Sequence, residues 1–111
     1  MISGVTIDVG GTSETFRMTT RAMMAIEDHF DKGLVEALHG LEEGFKIRDL
    51  VRLLSECAND GKGVDMDRAS EIVDELGVTR AGEVLGEVSE AAFPEAKGQP
   101  TKNGKRAARS K

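Results

Sequence analysis

The fold is decided near the amino terminus, where residues 5–18 have the sequence VTIDVGGTSETFRM. Apolar and polar residues alternate in its first half, as in a strand with one buried face; the apolar residues are Val5, Ile7 and Val9. Gly10 and Gly11 follow, and adjacent glycines accept the positive φ of a tight hairpin turn. Pairing across this turn sets Val5 opposite Phe16. An isolated hairpin is not stable in water, so its apolar face must cover another part of the protein.

The clearest helical pattern lies at residues 47–58. Apolar side chains recur there at intervals of three and four and form one stripe: Ile47, Leu50, Val51, Leu54, Cys57 and Ala58. Charged residues occupy the opposite face. This segment is therefore predicted to be a helix whose whole apolar stripe faces the core.

Four further helices are predicted around it. The first, at about residues 20–30, is capped by Thr19 or Thr20, and a weaker one at 34–43 is interrupted by Gly40. The fourth begins after the cap residue Asp65 and ends at Gly77 in a left-handed conformation, and the fifth runs from a Thr79 cap to Phe93 and Pro94. The expected fold class is α+β, an N-terminal β-hairpin followed by a small bundle of four to five helices.

Charge divides the chain into two parts. Residues 94–111 contain six basic residues and one acidic residue, a net charge of +5. Since the whole chain has a net charge of −5, residues 1–93 have a net charge of −10. The last residues also lack an apolar pattern and contain glycine and proline. We therefore predict one α+β domain at residues 1–94 and a disordered basic tail at residues 95–111.

Composition excludes several classes of protein. No apolar run is long enough to cross a bilayer, and residues 1–8 lack the basic flank and apolar core of a signal peptide. We expect a protein of the cytoplasm. Cys57 is the single cysteine, so no internal disulfide is possible, and we expect it to be a small buried side chain.

Candidate catalytic and metal sites are weak. The loop at residues 59–63 lacks ligands at three positions that a calcium loop needs, and His29 and His39 are too far apart to form a helical metal pair. Gly10 and Gly11 lie in a hairpin and not in a phosphate-binding loop. The sequence thus predicts no catalytic residue, no metal and no cofactor.

The order of the segments carries a family resemblance. The hairpin leads directly into MMAIEDHF at residues 23–30, and DLVRLL follows at 49–54, IVDELG at 72–77 and AAFP at 91–94. In this order and spacing, over about residues 4–95, the chain resembles the tail assembly chaperones of gene transfer agents and related tailed phages.

The resemblance implies a non-catalytic protein that coats the tape-measure protein until tail tube subunits replace it. Its partners would be the tape-measure protein, tail tube subunits and further copies of the chain. Large apolar side chains near segment ends are the candidate contacts for such helical partners: Met23, Met24, Leu41, Phe45 and Phe93. Methionines suit this role because their side chains adapt to varied partners.

The basic tail supports an alternative, a small adaptor or regulatory protein that binds nucleic acid by electrostatic attraction. The residues that would do so are Lys102, Lys105, Arg106, Arg109 and Lys111. The tail has no aromatic residue for base stacking and follows an acidic domain. On the strength of the family resemblance, we favour the chaperone over the nucleic-acid adaptor.

Overall fold

The computed structural model describes residues 2–93, and the predicted basic tail at residues 95–111 lies outside them. The described residues form a two-stranded antiparallel sheet and five helices, which confirms the α+β prediction. The elements in chain order are β1 (Val5–Val9), β2 (Thr12–Phe16), α1 (Thr20–Phe30), α2 (Leu34–Glu42), α3 (Ile47–Cys57), α4 (Met66–Leu76) and α5 (Val78–Ala92).

The hairpin has the predicted register, with Val5 opposite Phe16. Gly10 and Gly11 have φ values of 58° and 88°, the positive values that a two-residue hairpin turn requires. Phe16 is fully buried, and β1 contacts α4 and α5. The apolar face of the hairpin therefore packs against the helical bundle. This contact stabilises the hairpin, which would not be stable alone in water.

Helix α3 lies at the centre of the bundle, because it contacts α1, α4 and α5. The core is built from the hairpin and these helices, and its largest fully buried side chains include Phe16, Met18, Ile26, Leu50, Leu53, Leu54, Ile72, Val84 and Val88. The prediction that the whole stripe of α3 faces inward is wrong for Ile47, which is 51% exposed. Ile47 is the first residue of the helix, and the buried part of α3 begins at Leu50.

The predicted caps of α1 and α4 are confirmed. Thr19 Oγ1 accepts a hydrogen bond from the Ala22 amide at 3.2 Å, and Asp65 Oδ1 accepts one from the Arg68 amide at 2.8 Å. Each satisfies a backbone N–H group that the first turn of a helix leaves without a helical partner.

The predicted Thr79 cap is wrong. Gly77 both ends α4 and precedes α5, which begins at Val78 without a side-chain cap hydrogen bond from any described residue. The single connecting residue leaves no room for a cap at Thr79, which lies inside the first turn. Gly77 has the positive φ expected of it, 87°, but its ψ of 152° lies outside the left-handed helical region.

Helix α2 is continuous from Leu34 to Glu42, and Gly40 does not interrupt it, contrary to the prediction. Glu27 of α1 anchors its start, because Glu27 Oε2 accepts a hydrogen bond from the Leu34 amide at 2.9 Å. The helix packs mainly against α1 and lies at the edge of the bundle. No helix within residues 2–93 has both the length and the apolarity to cross a membrane.

Candidate binding surface

Large exposed apolar side chains are concentrated in one part of the described chain. They are Met24 (61% exposed), Val35 (62%), Phe45 (42%), Ile47 (51%) and Val78 (42%). The first four, here called the α1–α3 apolar set, come from α1, α2, the loop after α2 and the first residue of α3. Since α1 contacts both α2 and α3, these elements are neighbours in the fold.

Helix α2 contributes to this set because its apolar arc is wider than α1 can cover. Leu34 and Ala37 are buried, and Leu38 is partly buried against the core. Val35 is about 100° around the helix from Leu34, and this rotation takes its side chain out of the contact with α1. A helix that is apolar beyond its covered face presents surface to a partner.

Two of the five predicted contact residues are exposed. Met24 and Phe45 belong to the α1–α3 apolar set. The other three, Met23, Leu41 and Phe93, are partly buried and pack against the core. Phe93 follows α5, whose neighbours are α3, α4 and β1, so it does not belong with the other candidates.

Three further exposed apolar residues are not among the contacts that the sequence predicts, namely Val35, Ile47 and Val78. The exposure of Val35 could be inferred from the sequence, because Val35 directly follows Leu34 and two adjacent residues cannot both lie on one narrow helical stripe. Ile47 fits the stripe of α3 perfectly, so periodicity alone assigned it to the core.

Along the chain, the exposed residues near the members of the α1–α3 apolar set carry charges of both signs. Exposed acidic and basic residues adjoin its members along the chain: Glu27, Asp28, Lys32, Glu36, Glu43, Lys46 and Arg48. Exposed apolar side chains interspersed with charges of both signs are compatible with binding of an amphipathic segment.

Cys57 is buried, as predicted, and is a free thiol. Burial, with a smaller contribution from the neighbouring Glu56 carboxylate, raises the pKa of Cys57 to about 12, although Arg21 partly opposes the rise. The thiol therefore stays protonated at neutral pH, whereas a cysteine nucleophile reacts as the thiolate.

His29 and the loop after α3 have structural contacts. His29 Nε2 lies 3.8 Å from Asp49 Oδ1, and the His29 ring meets the Phe30 ring edge-on with centroids 4.8 Å apart. His39 is exposed on α2. In the loop, Asp60 Oδ1 accepts a hydrogen bond from Arg17 Nε at 2.6 Å. Residues 2–93 contain no group of three or more His, Cys, Asp or Glu side chains placed to hold a metal ion.

The five basic residues predicted to make electrostatic contacts, Lys102, Lys105, Arg106, Arg109 and Lys111, lie outside the described residues. Comparison of the chain with protein-family models, with curated proteins and with solved structures gives no match.

Proposed function

We propose that the protein is a non-catalytic tail assembly chaperone of a gene transfer agent or prophage, which binds the tape-measure protein during assembly of the tail tube. It would act in the cytoplasm, without a cofactor, and release its partner to tail tube subunits. The resemblance in the order of its segments suggests this role, and the exposed apolar side chains give it a physical basis.

The observation that carries the proposal is the α1–α3 apolar set. A tape-measure protein is a long helical chain that exposes apolar surface before the tube encloses it. Neighbouring helices with exposed apolar side chains can cover such a segment and keep it from aggregating. Met24 is 61% exposed, and its unbranched side chain adjusts to different partner sequences.

Charge also fits this role. Residues 1–93 carry a net charge of −10, which favours solubility of the free domain. The mixed charges beside the α1–α3 apolar set can pair with the polar face of an amphipathic helix while the apolar side chains meet its apolar face.

A second candidate function rests on the charge of +5 in residues 94–111. In that case the protein is an adaptor that binds nucleic acid through its basic tail. Such binding would weaken steeply as salt is raised, since it releases counterions from the phosphates.

The test is to co-express the tagged full-length chain with the tape-measure protein encoded nearby and to determine the mass of the purified complex by light scattering. We expect a soluble complex with several small subunits on each tape-measure chain. The double variant Met24→Ser/Val35→Ser should lose the complex and leave the tape-measure protein insoluble. Val78→Ser is the matched control, because Val78 is also an exposed valine but lies outside the α1–α3 apolar set.

Two outcomes would contradict the chaperone role. One is an insoluble tape-measure protein in the presence of abundant wild-type chain, and the other is a complex that tolerates Met24→Ser/Val35→Ser. The adaptor role is tested separately with a variant in which glutamine replaces five of the six basic tail residues, namely Lys102, Lys105, Arg106, Arg109 and Lys111. The adaptor role would be supported if the wild type binds nucleic acid in a salt-sensitive way and this variant does not.

A further inference from the structure

The two outer edges of the hairpin differ. The end of α3 and the loop after it cover the edge of β2. The Thr15 carbonyl accepts a hydrogen bond from the Asp60 amide at 2.8 Å, and the Arg17 amide, directly after β2, donates to the carbonyl of Cys57, the last residue of α3, at 2.9 Å. Within residues 2–93, no backbone hydrogen bond joins Thr6 or Asp8 to another element, so the outer edge of β1 is not hydrogen-bonded there, although β1 contacts α4 and α5.

The register shows which backbone N–H and C=O groups of β1 are not hydrogen-bonded to β2. A two-residue turn makes the pair Val9 and Thr12 a hydrogen-bonded pair, and hydrogen-bonded pairs alternate along an antiparallel ladder. The N–H and C=O groups of Thr6 and Asp8 therefore point away from β2. Both residues are exposed. An exposed edge of this kind is a template for pairing with another strand.

We propose that the outer edge of β1 binds the same edge of a second copy of the chain, antiparallel, with a two-fold axis at Ile7. This register places Thr6 of each copy opposite Asp8 of the other. Each such pair exchanges two backbone hydrogen bonds, and the symmetry supplies the pair twice. The result is a continuous four-stranded sheet made from two hairpins.

Side-chain chemistry selects this register. The Thr6 hydroxyl lies 2.8 Å from the Thr15 hydroxyl of its own chain. While it accepts a hydrogen bond from Thr15, it can donate its own hydrogen to the Asp8 carboxylate of the other copy, on the exposed face of the sheet. On the opposite face the two Ile7 side chains meet, and each is only partly buried in the single chain. A two-fold axis at Asp8 would set two carboxylates directly opposite each other, which is destabilising, and an axis at Thr6 would leave both carboxylates without a hydroxyl partner.

Net charge sets the salt dependence of this association. Each copy carries −5, so the copies repel each other at low ionic strength, and added salt screens that repulsion. The dimer is therefore expected to strengthen as salt is raised, the opposite of binding between the basic tail and a nucleic acid. The proposal does not depend on the proposed chaperone role.

The test is sedimentation velocity of the full-length chain over micromolar to millimolar concentrations. We expect a monomer–dimer equilibrium for the wild type. Thr6→Asp sets two carboxylates opposite each other and should weaken association by about tenfold or more. The exchange Thr6→Asp/Asp8→Thr restores a threonine opposite an aspartate and should recover most of the loss. Ser70→Asp adds the same charge at an exposed position of α4 and should dimerise as the wild type does.

A wild-type chain that stays monomeric at every concentration and salt level overturns the proposal. So does a dimer that Thr6→Asp leaves unchanged, or one that the exchange variant fails to restore, because that dimer would use another surface. Amide hydrogen exchange of the wild type gives an independent reading if Thr6→Asp disturbs the hairpin. The Thr6 and Asp8 amides should exchange more slowly as concentration rises, and unchanged exchange would also contradict the interface.

Discussion

The Thr19 hydroxyl donates a hydrogen bond to the Gly61 carbonyl oxygen at 3.0 Å, while the same oxygen of Thr19 caps α1 by accepting from the Ala22 amide. Arg21 Nε donates to the same carbonyl, also at 3.0 Å. The loop after α3 is thereby fixed to the first turn of α1. This contact also holds the loop against β2, whose outer edge it covers.

Gly61→Ala should destabilise the protein severely. Gly61 is buried with φ 84°, and a Cβ at this position would meet the Thr19 methyl group and lie 2.9 Å from the Arg17 carbonyl oxygen. The strained conformation and the clash with backbone should together lower the free energy of unfolding by about 3 kcal/mol or more. Urea unfolding followed by circular dichroism measures this loss.

Gly82→Ala is the matched control for Gly61→Ala. Gly82 lies in α5, and no atom of the described residues outside that helix's own backbone comes within 4 Å of a Cβ built on it. Alanine there should raise the free energy of unfolding by up to about 1 kcal/mol. Equal effects of the two substitutions would mean that the loop does not pack tightly against Thr19.

Thr19→Ala should cost about 1–2 kcal/mol of unfolding free energy, because it removes both the cap of α1 and the hydrogen bond to Gly61. Thr79→Ala should change it by less than about 0.5 kcal/mol, since Thr79 is exposed inside the first turn of α5 and is not its cap. Chemical unfolding of both variants compares them directly. A larger loss for Thr79→Ala than for Thr19→Ala would restore the cap assignment that the sequence pattern favoured.

The parts of the fold that local chemistry determines could be predicted from the sequence. The register of Val5 and Phe16 follows from a two-glycine turn and an alternating pattern, and the cap at Asp65 follows from a short polar side chain before an apolar stripe. The errors lie where a neighbouring element decides. Thr79 is a good cap residue in isolation, but Gly77 joins α4 to α5 and moves the start of the helix upstream.

The candidate surface could be predicted only in part, because exposure depends on which helices pack together. The sequence predicts both Met24 and Met23 as contacts, but only Met24 is exposed, whereas Met23, one position earlier, packs against the core. Ile47 keeps the period of α3 but precedes its buried part. The open edge of β1 depends on where the segment after α3 docks, which no local pattern encodes.

Helix α2 should open more readily than the rest of the bundle. Its main neighbour is α1, whereas α3 contacts three other helices. Native-state hydrogen exchange should therefore show a lower opening free energy for the amides of α2 than for those of α3. Gly40→Ala should raise the α2 value by up to about 1 kcal/mol, because Gly40 occupies a helical position. Equal protection of the two helices would contradict the peripheral placement of α2.

Cys57 should make the protein sensitive to alkali. Folding raises the pKa of this thiol from 9.0 to about 12, so the folded state keeps a proton that the unfolded state loses between those values. Stability from this group is complete below about pH 9 and falls as pH rises toward 12, with a slope of about 1.4 kcal/mol per pH unit. Cys57→Ala should remove this slope, and the difference between the two urea-unfolding series isolates it from the titration of lysines. Parallel series over this range would show that the thiol ionises as easily in the folded chain as in the unfolded one.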